Sequence, residues 1–119
     1  MSIFKPFCLF LVPLFLFSLH PAFAYVEKES ATIRIMNKAA GKTQSISIPV
    51  GKTIQYDGLM ISVRNCKQSD PFEAENFFTF LEIYTKVDER IFSGWMNRNE
   101  PGQNPLQNDT YDVWIEKCE

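Results

Sequence analysis

Apolar side chains recur at every second position along most of the chain, which is the period of a β-strand with one buried face. Ile33 and Ile35 follow this alternation, and Ile46, Ile48 and Val50 repeat it. Five further segments have the lengths and apolar content of short strands: 53–56, 59–66, 77–84, 90–96 and 111–117. With about seven short antiparallel strands and no convincing amphipathic helix, the pattern predicts a single all-β domain, either a small sandwich or a barrel.

Turn-forming residues separate these segments. Ala40-Gly41-Lys42 connects the first two strands, and Asp57-Gly58 is the dipeptide that best tolerates the positive φ angles of a tight hairpin turn. The polar stretch 67–76, which contains Asp70-Pro71, predicts a loop before the strand at 77–84.

The alternation also assigns side chains to the two faces of a strand. Cys66 falls on the face opposite Val63, and Cys118 falls on the face opposite Val113. The pattern therefore predicts that the two cysteines lie with Trp114 in a second, mixed layer outside the aliphatic core. A β-bulge near either strand end would reset the alternation and change this assignment.

Residues 1–24 contain the three parts of a secretory signal peptide in the expected order. Lys5 provides the positive start, Phe7–Leu19 provides the apolar stretch, and Ala22-Phe23-Ala24 is an A-x-A cleavage site. The apolar stretch is shorter than the ~20 residues that a helix needs to cross a bilayer. The sequence therefore predicts a cleaved signal, a β domain at 25–119 and an exported protein, periplasmic or secreted, without stable membrane insertion.

Removal of this segment changes the charge and the candidate chemistry. The whole chain has 12 Lys and Arg and 14 Asp and Glu; without Lys5 the basic side chains fall to 11 and the formal charge becomes −3. A nucleic-acid partner is not expected, because phosphate binding needs a basic surplus. The only histidine, His20, leaves with the signal, so residues 25–119 have no imidazole for a catalytic triad or a zinc site. We predict no cofactor and no metal.

Two cysteines, Cys66 and Cys118, remain when Cys8 leaves with the signal. In an oxidising compartment, an even pair in a small domain is most simply one disulfide. That bond would close a loop of roughly 50 residues and stabilise the fold by about 4 kcal/mol in the chain-entropy description.

The strand at 77–84 is apolar on both faces. Phe77, Leu81 and Ile83 lie on one face, and Phe78, Phe80 and Tyr84 lie on the other. A strand covered on both sides explains this pattern. The alternative is an exposed aromatic strip at Phe78, Phe80 and Tyr84 that binds a partner.

The least regular segment is Asn97–Thr110, whose Asn and Pro residues favour a series of turns. Long loops on rigid scaffolds often carry binding sites, and prolines reduce the cost of ordering them. We therefore predict a partner-binding surface formed by this loop and the adjoining strand ends: Met96, Asn97, Arg98, Asn99, Gln103, Asn104, Leu106 and Tyr111. Replacing residues 100–107 with a Gly/Ser linker should then leave the melting temperature within a few degrees, unless Leu106 is core and the loop is structural.

Both tryptophans are expected in the core, as is usual in small β domains. Gly94 precedes Trp95 and has no side chain, which leaves room for another backbone or a ligand to approach closely.

Two blocks are more specific than periodicity. Phe92-Ser93-Gly94-Trp95-Met96 and, after the loop, Tyr111-Asp112-Val113-Trp114-Ile115 before Cys118 resemble the DUF2155 family, exported proteins of unknown function found mainly in alphaproteobacteria. The resemblance covers Ala31 to Cys118 and implies a bacterial envelope protein with paired cysteines, with no established activity to carry over. The loop after Met96 is longer and richer in Asn and Pro than is usual in that family.

Two classes of function remain. The preferred hypothesis is a non-enzymatic envelope protein that binds or scaffolds another envelope protein or a cell-wall component through a loop or strand surface. The alternative is a small enzyme acting on envelope glycan, with Asp112 and either Glu82 or Glu116 as its carboxylate pair. A secreted effector is a third alternative.

Overall fold

The computed structural model describes residues 24–119, which form a sandwich of two antiparallel sheets. Eight strands follow in chain order: β1 Val26–Glu27, β2 Ser30–Asn37, β3 Lys42–Pro49, β4 Thr53–Tyr56, β5 Leu59–Gln68, β6 Phe77–Thr85, β7 Arg90–Asn97 and β8 Tyr111–Cys118. This range contains no helix with the length and apolar character needed to cross a membrane. The predicted signal segment, apart from Ala24, lies outside the described residues.

The two sheets differ in size. In the five-stranded sheet the order is β1-β5-β6-β7. β4 pairs with the first half of β5, and β1 pairs with the last two residues of β5. The three-stranded sheet has the order β3-β2-β8. The all-β sandwich and the seven predicted strands are thus confirmed, and the two-residue β1 is additional.

The core lies between the sheets and follows the alternation seen in the sequence. Ile33 and Ile35 of β2 belong to one core cluster with Ile61 of β5 and with Leu81 and Ile83 of β6, and all five side chains are fully buried. Burial of side chains of this size stabilises the fold by roughly 1.5–3 kcal/mol each.

Two β-bulges change the cysteine assignment. Arg64 is an extra residue in β5, where pairing with β6 skips from Val63 to Asn65. Glu116 is an extra residue in β8, where pairing with β2 shifts between Thr32 and Ile33. Each bulge reverses the side-chain alternation beyond it. The prediction of a mixed outer layer is therefore wrong, and both cysteines point into the core.

The predicted disulfide between Cys66 and Cys118 is present and joins the two sheets. The Cα atoms are 5.6 Å apart, and both residues are buried. Since Cys66 is near the end of β5 and Cys118 ends β8, the bond fixes one end of the sandwich.

A hydrogen-bonded link fixes the opposite ends of β5 and β8. The hydroxyl of Tyr111 donates to Asp57 Oδ2 at 2.7 Å and accepts the Gly58 N–H at 3.1 Å. The bond from Tyr111 lowers the pKa of Asp57, and partial burial, followed by the bond to Asp57, raises the pKa of Tyr111. The turn has its positive φ, 53°, at Asp57. Gly58 is needed for a different reason, because a Cβ there would lie 2.9 Å from the Tyr111 hydroxyl.

Candidate functional site

The outer surface of the five-stranded sheet carries a cluster of aromatic rings, Tyr25, Phe78, Phe80 and Trp95, which we call the aromatic face. Phe78 and Phe80 point outward because they alternate with buried residues along β6. Trp95 stands opposite Phe80 in the ladder between β6 and β7. The rings meet edge to face, with centroids 5.3 Å apart for Tyr25 and Phe78 and 5.5 Å apart for Phe80 and Trp95.

Tyr25 and Trp95, the two outer members of this cluster, are each about half exposed to solvent. Tyr25 is 52% exposed and Trp95 is 41% exposed. The prediction that Trp95 lies in the core is wrong, because Met96 takes the inward position on β7 and its neighbour must therefore point outward. Trp114 is half-buried and lies outside the main core as well. Parity with Met96 was the sequence signal that would have placed Trp95 correctly.

Lys67 lies between two of these rings. Its Nζ is 4.0 Å from the Tyr25 ring centroid and 4.7 Å from the Trp95 ring centroid. The bulge at Arg64 puts Lys67 on this face, where it pairs in register with Phe78. Among residues 24–119 no carboxylate forms an ion pair with it. The aromatic face therefore holds a cation that is balanced by ring faces rather than by an acid.

Asn65 lies beneath the rings. Its Nδ2 donates to Glu27 Oε1 at 3.0 Å, while its buried Oδ1 has no partner among the described residues. Leaving such an acceptor unpaired costs about 1–3 kcal/mol.

A cleft of about 260 Å³ adjoins the aromatic face. It is lined by Tyr25, Ser69, Glu73, Ala74, Asn76, Phe78 and Asn99. The loop that forms one wall is held by its own bonds, since the Asp70 carboxylate accepts the N–H of Phe72 at 2.8 Å and the Ser69 hydroxyl donates to the Ala74 carbonyl at 2.9 Å. The Phe72 side chain, at the tip of this loop, is 91% exposed.

Three residues of the predicted loop surface lie beside this cleft. The Asn76 amide donates to Asn97 Oδ1 at 2.6 Å, and the Asn99 N–H donates to Asn76 Oδ1 at 3.1 Å. Arg98 Nη1 donates to Glu75 Oε1 at 3.1 Å. The start of the loop and the aromatic strip, two separate candidates in the sequence, are therefore neighbours in space.

The remaining predicted loop residues have other roles. Met96 and Leu106 are each 5% exposed and belong to the core, so their side chains are not available to a partner. Asn104 Nδ2 donates to the Trp95 carbonyl at 3.0 Å and occupies the space over Gly94, where a Cβ would lie 2.8 Å from it. The room left by Gly94 thus accommodates the loop itself. Gln103 is exposed, and Tyr111 bonds Asp57 as described above.

A second cleft lies between this loop and β8. It measures about 350 Å³ and is lined by Pro101, Gly102, Pro105, Leu106, Asp112, Val113 and Trp114. Its wall is mainly apolar, and it lies away from the aromatic face. It is the part of the predicted loop surface that could accept a ligand side chain or a small molecule.

Comparison with known families identifies the chain. A family model described as an uncharacterized protein conserved in bacteria (DUF2155) matches residues 31–118. The chain belongs to the DUF2155 family. Searches of curated proteins and of solved structures gave no match. Lys67, Phe78, Phe80 and Trp95 lie inside the DUF2155 match, whereas Tyr25 precedes it.

The candidate carboxylates of this DUF2155 protein are divided between the two outer faces, and each has a basic partner. Glu82 lies on the outside of the five-stranded sheet and accepts Arg64 Nε at 2.5 Å. Asp112 and Glu116 lie on the outside of the other sheet, where Glu116 pairs with Arg34 at 3.0 Å. Glu82 is therefore separated from both by the thickness of the sandwich. In residues 24–119, no three Asp, Glu, Cys or His side chains group as metal ligands.

The predicted strip at Phe78, Phe80 and Tyr84 is half-exposed on one outer face. The Arg64–Glu82 ion pair lies between Phe80 and Tyr84 along β6. Tyr84 is therefore separate from the ring cluster, and the aromatic face takes its other members from Tyr25 and Trp95.

Proposed function

We propose that this protein is an exported, non-enzymatic component of the bacterial envelope that binds another envelope component through the aromatic face. The observation that carries the proposal is the exposure of Trp95 and Tyr25 on a rigid sheet, with Lys67 between them. Exposed aromatic clusters mark interaction sites, and Trp and Tyr are the residues that most often dominate binding energy.

The scaffold supports this role. The ring-bearing strands β6 and β7 are paired along their lengths, and the disulfide holds their sheet to its partner. A surface that is already ordered loses little conformational entropy on binding. The rings lie outside the buried core, which is filled from the inner faces of the sheets.

Export is part of the proposal. The A-x-A sequence ending at Ala24 and the bonded pair of Cys66 and Cys118 both favour an oxidising compartment outside the cytoplasm. Non-enzymatic action is favoured because Glu82 lies on the opposite side of the sandwich from Asp112, and because Asp112 and Glu116 are each engaged by a basic side chain, Lys38 and Arg34.

Site-specific photocrosslinking in the native cell tests the surface. A photoreactive amino acid would replace Trp95 in one strain, Arg34 in a second and Trp114 in a third. Arg34 is the matched control, because it is solvent-accessible on the outer face of the other sheet. We expect a discrete crosslinked product only from position 95. A product from position 114 alone would move the site to the cleft beside β8, and equal labelling from positions 95 and 34 would contradict the proposal.

A further inference from the structure

We infer that the ligand of the aromatic face is a carboxylate-bearing glycan, and that Lys67 is the group that binds its carboxylate. The inference rests on the proposed function and names the ligand class of the same surface. It follows from the charge, the ring geometry and the dimensions of the site.

The charge of the site points to an anion. The two arginines nearest to the aromatic face are already paired, Arg64 with Glu82 and Arg98 with Glu75. Lys67 has no such partner in residues 24–119. Glu27 stands opposite it in the β1–β5 ladder, but it accepts from Asn65 and lies beyond ion-pair distance of Lys67. A carboxylate arriving with a ligand would supply the missing counter-charge.

The rings point to a sugar. A pyranose has one face of C–H groups of about the size of an aromatic ring, and the electron-rich face of Trp or Tyr attracts the positive edges of such groups. Lys67 covers part of Tyr25 and of Trp95, yet about half of each side chain remains exposed. A sugar stacked on either ring would therefore hold an attached carboxylate within reach of the same ammonium group.

The dimensions favour a glycan over a protein partner. The aromatic face consists of four rings and continues into a cleft of about 260 Å³ whose lining includes Asn76, Asn99 and one acid, Glu73. Amide groups of this kind suit sugar hydroxyls, which both donate and accept. A stable protein interface buries about 800 Å² on each partner and draws on roughly 20–30 residues a side, which is more than this patch offers.

Binding to one polymer in two chemical forms tests the inference. The probes are soluble polygalacturonate and its methyl ester, which share the sugar ring and differ in the carboxylate. The full chain would be expressed with its own export segment and recovered from the periplasm, and affinity would be measured at physiological salt. The net negative charge of residues 25–119 disfavours non-specific binding to a polyanion, so binding reports a local site.

We expect the wild type to bind the acid form at least tenfold more tightly than the ester. Lys67→Met keeps the length of the side chain and should abolish this preference, Lys67→Arg should retain it, and Trp95→Ala should weaken binding of both forms. A single cooperative unfolding transition in each variant would confirm that it is folded.

Equal binding of the acid and the ester by the wild type, or an undiminished preference in Lys67→Met, would overturn the inference. Its failure can be told apart from failure of the proposed function. If neither polymer binds while position 95 still crosslinks to an envelope protein, the surface is correct and the ligand class is wrong. If polymer binding occurs and Trp95→Ala leaves it unchanged, the surface itself is wrong.

Discussion

The outer faces of the two sheets share the same backbone geometry but differ in chemistry. On the three-stranded sheet, Arg34 pairs with Glu116 at 3.0 Å and Lys38 lies 3.9 Å from Asp112. Ser45 also donates to Glu116. On the five-stranded sheet, beside the Arg64–Glu82 ion pair, four aromatic rings form a cluster, and two of them flank an ammonium group that forms no ion pair within residues 24–119.

The difference shows what folding alone requires. On the three-stranded sheet, alternating polar positions with paired charges cover most of the outer face, and one half-buried ring, Trp114, lies among them. The rings of the other sheet contribute little to the core and expose apolar surface to water. A feature that folding does not require is the better candidate for function, and each prediction below tests one part of this contrast.

The largest effect is expected from the disulfide, which both faces share. Replacing Cys66 and Cys118 with Ala should lower the free energy of unfolding by about 4 kcal/mol, because the closed loop spans 52 residues. Chemical denaturation measures this loss, and intact mass with and without reductant verifies the bond in the wild type. If the two sheets unfolded in separate transitions, the sandwich would not be a single cooperative unit, and its two faces could not be compared on one scaffold.

The next largest loss of stability is expected from the loop at 97–110, because part of this loop belongs to the core. Leu106→Ala should destabilise the domain by about 3 kcal/mol, because the side chain is 5% exposed. The expectation that residues 100–107 can be replaced by a Gly/Ser linker without loss is revised accordingly. Gln103→Ala, at an exposed position of the same loop, is the control and should change the unfolding midpoint very little. Equal unfolding midpoints for the two variants would mean that Leu106 does not stabilise the core and that the loop is only a connection.

A smaller effect on stability is expected when the two faces are compared directly. Trp95→Ser should cost about 1 kcal/mol through loss of its edge-to-face contact with Phe80. Arg34→Met should cost no more than about 1 kcal/mol, because exposed ion pairs contribute little. Thermal denaturation would measure both. A loss for Trp95→Ser as large as that for Leu106→Ala would mean that the ring is structural.

The smallest effect concerns the hydrogen-bonded link between the sheets. The bond from Tyr111 lowers the pKa of Asp57 below 3.8. The stability that this bond gives the fold is therefore present above pH 3.8 and is lost as the pH falls through the lowered pKa. The raised pKa of Tyr111 likewise means that its bond to Asp57 stabilises the fold below pH 10, and that this stability is lost as the pH rises through the raised pKa. Tyr111→Phe should therefore be slightly less stable than the wild type at neutral pH, and the difference should shrink in acid. A constant difference from pH 7 to pH 2 would contradict the link.

Much of the fold could be predicted from the sequence because the alternation is regular. Ile33, Ile35, Ile61 and Val63 occupy the expected inward positions. The bulges could not be predicted, since Arg64 interrupts the alternation of β5 without any unusual residue type. The position of the disulfide in the core is a direct consequence of these bulges.

The sequence predicts only part of the candidate site. The alternation along β6 places Phe78 and Phe80 on one face, but Tyr25 and Trp95 join them only through pairing between distant segments. The position of Lys67 depends on the bulge before it. Local periodicity has no information about such contacts, so the site could be seen only in three dimensions.

The two tryptophans provide the most direct test of the central claim, that the aromatic face is the binding surface. Trp114→Phe leaves Trp95, on the aromatic face, as the only tryptophan, and Trp95→Phe leaves only Trp114, beside the cleft of the loop. Both variants would be titrated with protein-free cell-envelope glycan, which has no tryptophan emission of its own, while tryptophan emission is recorded. We predict a saturable change in the emission of Trp95 and none in that of Trp114; a change confined to Trp114 would contradict the account.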